Sequence, residues 1–172
     1  MRVLPLVLFL TACAPAHTTT PAPATLSALT YELRTLDGKP ARLDEVAAGR
    51  PALVSLWATW CEACARELDA LARLHEATRG AGAAVIGVAV GEPHDEVARF
   101  VQRHALPYVQ LVDERFQLAD ALGQTRVPAT MVLDRKGRIV YRGGAFDETA
   151  LAAFRRALAD GGDSGVANAA AR

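Results

Sequence analysis

One stretch constrains this chain more than any other. An apolar run from Ala52 to Ala58 leads, through Thr59 and Trp60, into Cys61-Glu62-Ala63-Cys64. The run reads as a buried β-strand. Leu68, Leu71 and Leu74 follow at spacings of three, which predicts a helix running on from the cysteines to about Arg79. Two thiols thus stand where a strand gives way to a helix.

Cysteines one turn apart at a helix start share a face and can close a small disulfide ring. The first amides of a helix are unpaired donors and its dipole is positive there, so a Cys61 thiolate is favoured. A thiol of lowered pKa is a nucleophile near neutral pH. Cys64, one turn deeper, is expected to be more buried and to act as the resolving thiol. A structural zinc site needs about four ligands, and the chain has no second cysteine pair to supply them. A structural bridge usually closes a longer loop, which restricts the unfolded chain more. In a βα context, Cys-x-x-Cys reads as a thioredoxin-like redox pair. No metal and no cofactor are expected.

Trp57-Ala58-Thr59-Trp60-Cys61-Glu62-Ala63-Cys64 resembles the active site of the thioredoxin superfamily. Glu67, three residues after the second cysteine, resembles a signature of one branch. That branch comprises the membrane-anchored, extracytoplasmic thiol–disulfide reductases of TlpA-like and ResA-like type, many of which serve cytochrome c maturation. The resemblance extends from about Tyr31 to Leu158. It implies an α/β fold, a thioredoxin-like three-layer sandwich with a mixed central sheet, an N-terminal β-hairpin and a central βα insertion. Pro128, in Arg126-Val127-Pro128-Ala129-Thr130, matches the proline that is cis in such proteins and lies against the cysteines. Cis bonds are nearly confined to X-Pro, so the match implies a deliberate local shape. Val127 would pair with a substrate peptide by β-augmentation, and Trp60 would join Val127 and Pro128 in binding it.

The resemblance also suggests how the second cysteine loses its proton. The buried aspartate that serves ordinary thioredoxin corresponds here to Ser55, which cannot take a proton, and Glu67 is the available substitute. Glu62 puts a negative charge between the cysteines; a more basic thiolate favours the disulfide, hence a reductant. A disulfide oxidase and a thiol peroxidase are the rival readings. The peroxidase pattern wants proline where Ser55 stands, although Thr59 precedes Cys61 by two. A copper or thiol-binding module would want a third ligand, and the only methionines are Met1 and Met131.

The remaining pattern organises the rest. Tyr31, Leu33 and Leu36 before Asp37-Gly38 predict a hairpin, and Leu43 to Gly49 a short helical turn. Ala84 to Val90 predicts a buried parallel strand. Pro93 opens a helix with Val97, Phe100, Val101 and His104 on one stripe. Tyr108 to Val112 predicts a strand and Glu114 to Leu122 a helix. Thr130 to Leu133 and Ile139 to Arg142 predict a second hairpin, and Asp147 caps a last helix with Leu151, Phe154 and Leu158 inward. Strands alternating with helices and closing in a hairpin give a mixed α/β sheet.

The ends carry a different signal. Residues 1–12 read as a lipoprotein signal peptide, too short for a membrane span of ~20 residues. Leu10-Thr11-Ala12-Cys13 resembles a lipobox, which marks Cys13 for lipidation and leaves Cys61 and Cys64 as the exchangeable pair among 3 cysteines. Residues 13–30 are a Pro/Thr/Ala linker, 31–159 the folded domain and 160–172 a disordered tail. Lys+Arg and Asp+Glu both number 19, so no nucleic-acid partner is implied. The expected partners are disulfide-containing exported proteins, a membrane thiol donor and, through Cys13, the lipid membrane. The protein is expected to be a monomer held outside the cytoplasm.

Overall fold

A computed structural model describes residues 31–160. The expected leader, Cys13, the linker and the tail beyond Asp160 lie outside the described residues. The chain enters through β1 (Leu33–Thr35) and β2 (Pro40–Ala41), then α1 (Leu43–Ala47), β3 (Ala52–Trp57), α2 (Glu62–Ala65) and α3 (Leu68–Thr78). It continues through β4 (Ala84–Val90), α4 (His94–His104), β5 (Val109–Asp113) and α5 (Gln117–Ala121). It closes with β6 (Ala129–Leu133), β7 (Ile139–Gly143) and α6 (Glu148–Ala159).

The 7-stranded sheet has the order β2-β1-β5-β4-β3-β6-β7. β3 and β4 are parallel, as are β4 and β5, while β6, β7 and the N-terminal hairpin run antiparallel to their neighbours. Every residue of β3 and β4 is buried, as expected of strands covered on both faces. On one face α1 and α5 pack Leu43 and Leu118 against Val54, Leu56, Ile86 and Val88. On the other, α4 sets Val97, Phe100 and Val101 against Trp57 and Ala89. Beside it α3 and α6 set Leu71 and Phe154 against Leu53, Val85 and Val132. The result is a thioredoxin-like three-layer sandwich, with α4 and β5 forming the expected insertion between β4 and the closing hairpin.

Three expectations need correction. The helix after the cysteines is not continuous to Arg79: α2 ends at Ala65 and α3 begins at Leu68. The Glu67 N–H bonds the Cys64 carbonyl at 3.0 Å, a three-residue spacing that tightens the turn and breaks the regular ladder. In α6 the fully buried stripe is Ala150, Ala153, Phe154 and Ala157; Leu151 and Leu158 are only partly covered. Small residues let this helix lie close on β6 and β7, and the leucines flank the contact. The helix expected from Glu114 is also shorter, because Asp113 accepts the Gln117, Leu118 and Ala119 N–H groups at 2.7, 2.9 and 3.0 Å and starts α5 there.

Candidate active site

The strand β3 ends at Trp57 and delivers Cys61 to the N-cap of α2. Cys61 and Cys64 are joined as a disulfide with Cα atoms 5.2 Å apart. The Cys64 N–H donates to Cys61 Sγ at 3.1 Å, so the outer sulfur is the one that an amide reaches. Cys61 is 7% exposed and Cys64 1%, which fits the expected division into an attacking and a resolving position. Since α2 is only four residues long, its dipole is small, and the local amide is the main electrostatic aid to a Cys61 thiolate.

Glu62 projects into solvent and is engaged by Arg66 at 2.9 Å. An exposed, paired charge is strongly screened, so Glu62 bears less on the thiolate than its place between the cysteines suggests. Glu67 behaves differently. It lies half-buried at the break between α2 and α3, with Oε2 buried and without a protein partner. Burial raises its pKa, while the Phe146 backbone N–H and Arg66 pull it back.

The Val127–Pro128 bond is cis. Val127 touches the apolar clusters on both sides of the sheet, including the one that holds the cysteines. The β3–β6 ladder ends at Leu56–Ala129, so Val127 lies just beyond the paired region. Trp60 is 69% exposed and, with Val127, Phe116 and Arg126, lines a groove of about 80 Å³ beside the pair. A larger cavity, about 470 Å³, lies instead between the β6–β7 turn and α6. That turn is at the opposite end of β3 from the cysteines, because Leu133 pairs with Ala52. It is remote from the chemistry.

The structure therefore brings Cys61, Cys64, Glu67, Trp60, Val127 and Pro128 to one end of β3. It also adds residues that the sequence reading passed over. Glu92, 5% exposed at the end of β4, accepts the Thr59 N–H at 2.7 Å and the Thr59 hydroxyl, tying down the loop that carries Trp60. A carboxylate directly after a buried strand, in Gly91-Glu92-Pro93, is the signal that could have found it. Trp57 donates its indole N–H to Gln110 Oε1 at 3.0 Å and packs on Phe100 with ring centroids 5.2 Å apart. Among the described residues no group of three or more His, Cys, Asp or Glu could hold a metal ion. None of their helices is long and apolar enough to cross a membrane.

Two sulfurs within bonding distance, one nearer the surface, with a half-buried carboxyl one turn on, can exchange a disulfide with another molecule. Comparison with known proteins agrees. The model of the AhpC/TSA family matches residues 24–142. The thiol-disulfide oxidoreductase ResA of Halalkalibacterium halodurans is 30% identical over 123 residues, 70% of this chain and 69% of that protein. ResA of Geobacillus thermodenitrificans is 30% identical over 109 residues, 63% of this chain and 62% of the relative, so the chain spans less than two thirds of that protein. A secreted disulfide oxidoreductase of Mycobacterium tuberculosis, homologous to E. coli DsbE, superposes with a TM-score of 0.60 at 20% identity. That alignment covers 76% of this chain and 95% of the other.

Proposed function

Since the chain belongs to the AhpC/TSA family and carries a thioredoxin-like fold, we infer that it is an extracytoplasmic thiol–disulfide oxidoreductase that reduces disulfides in exported proteins. The observation that carries this reading is the buried bridge itself, with Cys61 at its outer end and an amide aimed at the Cys61 sulfur. In the cycle, Cys61 thiolate attacks one sulfur of a substrate disulfide. A mixed disulfide forms and one substrate thiolate leaves. Cys64, deprotonated by Glu67, then attacks Cys61 Sγ; the mixed disulfide breaks, the second substrate thiol leaves, and the Cys61–Cys64 bridge remains. A membrane thiol donor returns the two electrons and resets the pair.

The direction rests on the surroundings of the sulfurs. One amide and a four-residue helix give a Cys61 thiolate modest support. The carboxylate of Glu67 behind it opposes a second negative charge. Both favour the disulfide over the dithiolate, which makes a reductant. The unpaired stretch at Val127 supports docking of an extended substrate strand, with Trp60 covering one side. The Thr59 hydroxyl, which the peroxidase reading would turn toward Cys61, donates to Glu92, and this supports the reductase reading.

Disulfides of the Cys-x-x-Cys-His kind in apocytochrome c are the substrate class we propose, and Cys13 the lipid attachment that holds the domain near a membrane. A Cys64→Ser variant should trap partners as mixed disulfides through Cys61, identifiable by mass spectrometry of reducible adducts. Recovery of no adduct from cells would reject the exported-protein reading. Equilibration with glutathione sets the direction: a potential near ~−120 mV would mark an oxidase instead. Cys13→Ser should move the protein from the membrane fraction to the soluble one.

A further inference from the structure

Registered residues of neighbouring strands point to the same face of a sheet. Gln110 pairs with Gly87, Gly87 with Ser55, and Ser55 with Thr130. These four form one row across β5, β4, β3 and β6. It is a polar row in an otherwise apolar face. On one side lie Trp57, Ala89 and Val112, and on the other Leu53, Val85 and Tyr108. The row keeps its polar character by leaving space: a Cβ on Gly87 would stand 2.1 Å from Gln110 Oε1 and 2.9 Å from the Trp57 indole nitrogen.

The chain segment from α2 to α3 crosses above this row. Cys64 packs with the cluster on one side and Leu71 with the cluster on the other. Glu67 comes between them in the chain, one turn from each, and its charge reaches Tyr108 beside the row. Four of the seven buried polar side-chain atoms without a partner among the described residues belong here: Glu67 Oε2, Tyr108 Oη, Gln110 Nε2 and Thr130 Oγ1. Leaving a buried polar atom unmade costs about 1–3 kcal/mol, so four in one place would be a heavy burden on a small domain. Buried water with two to four polar partners is the usual remedy.

We propose that Tyr108, Gln110 and Thr130 form a buried polar belt that holds ordered water against the Glu67 carboxyl and favours its ionised form. They are positioning residues, acting through Glu67 rather than on the sulfurs. The groups facing Glu67 can be named. Cys64 and Arg66 belong to its own segment, and the Phe146 N–H comes from the loop before α6. Just before β5, Tyr108 is 3% exposed and is pushed up to about 12, chiefly by burial, with the Gln110 side chain pulling it back and the Glu67 charge adding to the rise. His75 of α3 lies beyond Tyr108 at 6.4 Å between ring centroids. Tyr141 on β7 turns its hydroxyl to Asp147 at 3.5 Å and so serves as a control.

The inference assumes Glu67 to be the proton acceptor only for its kinetic consequence, and the test separates the two. The Glu67 carboxyl is titrated by ¹³C NMR in the full chain with its disulfide closed, where neither cysteine ionises. Tyr108→Phe and Thr130→Val, both near-isosteric, should each raise the titration midpoint, and Tyr141→Phe should leave it in place. Resolution of a mixed disulfide below that midpoint should slow about tenfold in each variant, the low end for one lost hydrogen bond to a charged group. A shifted midpoint with unchanged resolution sustains the belt and removes Glu67 from the chemistry. An unmoved midpoint in both belt variants, or an equal shift in Tyr141→Phe, overturns the belt whatever Glu67→Gln does to the rate.

Discussion

Glu67 is the proposed base, and its half-buried setting bears on stability as well as on the proposed chemistry. Burial raises its pKa above that of an exposed glutamate, so the native state holds its proton more tightly than the unfolded chain does. The contribution to stability is therefore complete below the unfolded pKa and is lost as pH rises through the native one. Glu67→Gln, which cannot ionise, should gain stability relative to the parent between about pH 4 and about pH 8. Denaturant midpoints at the two pH values read this directly, and a difference that stays constant would refute it. The same variant should slow release from a mixed disulfide by about 10²-fold, the low end for a general base, and spare the first attack.

The elements differ in how openly the sequence announces them. Asp147 before Glu148 is a visible cap: Asp147 Oδ1 accepts the Ala150 N–H at 2.8 Å. Asp147→Ala should cost about 1 kcal/mol in chemical denaturation, and a neutral result would remove the cap from the account. The β3 run with its two cysteines and the proline at 128 were equally legible, because local chemistry demands them. The break at Arg66 and Glu67 was not. Neither residue is Gly or Pro, and both have helical backbone angles. Only the tightened bond to the Cys64 carbonyl, made within the packed fold, shows it. The alanine face of α6 was misread for a similar reason: hydrophobicity ranks Leu above Ala, but close approach to a sheet favours the smaller side chain. Glu92 and Gln110 escaped because their partners, Thr59 and Trp57, are 33 and 53 residues away.

At the scale of the molecule, β3 is paired on both sides and buried along its whole length, while β2 and β7 are edges. Amide exchange should therefore be slowest in β3 and β4 and fastest in the edge strands. Exchange from β3 as fast as from β7 would contradict the topology. The end of the sheet that bears the sulfurs is fastened as well. Thr59 is held by Glu92 from the neighbouring corner, and Gly91 beside it, at φ +71°, leaves no room for a side chain: a Cβ there would stand 1.9 Å from the Phe116 ring. Three separate turns are thus locked to one another before any visitor arrives. A visiting polypeptide meets a mould cast during folding, and its fate is decided by how well its own contour suits that cast, since the rim has little slack with which to meet it halfway.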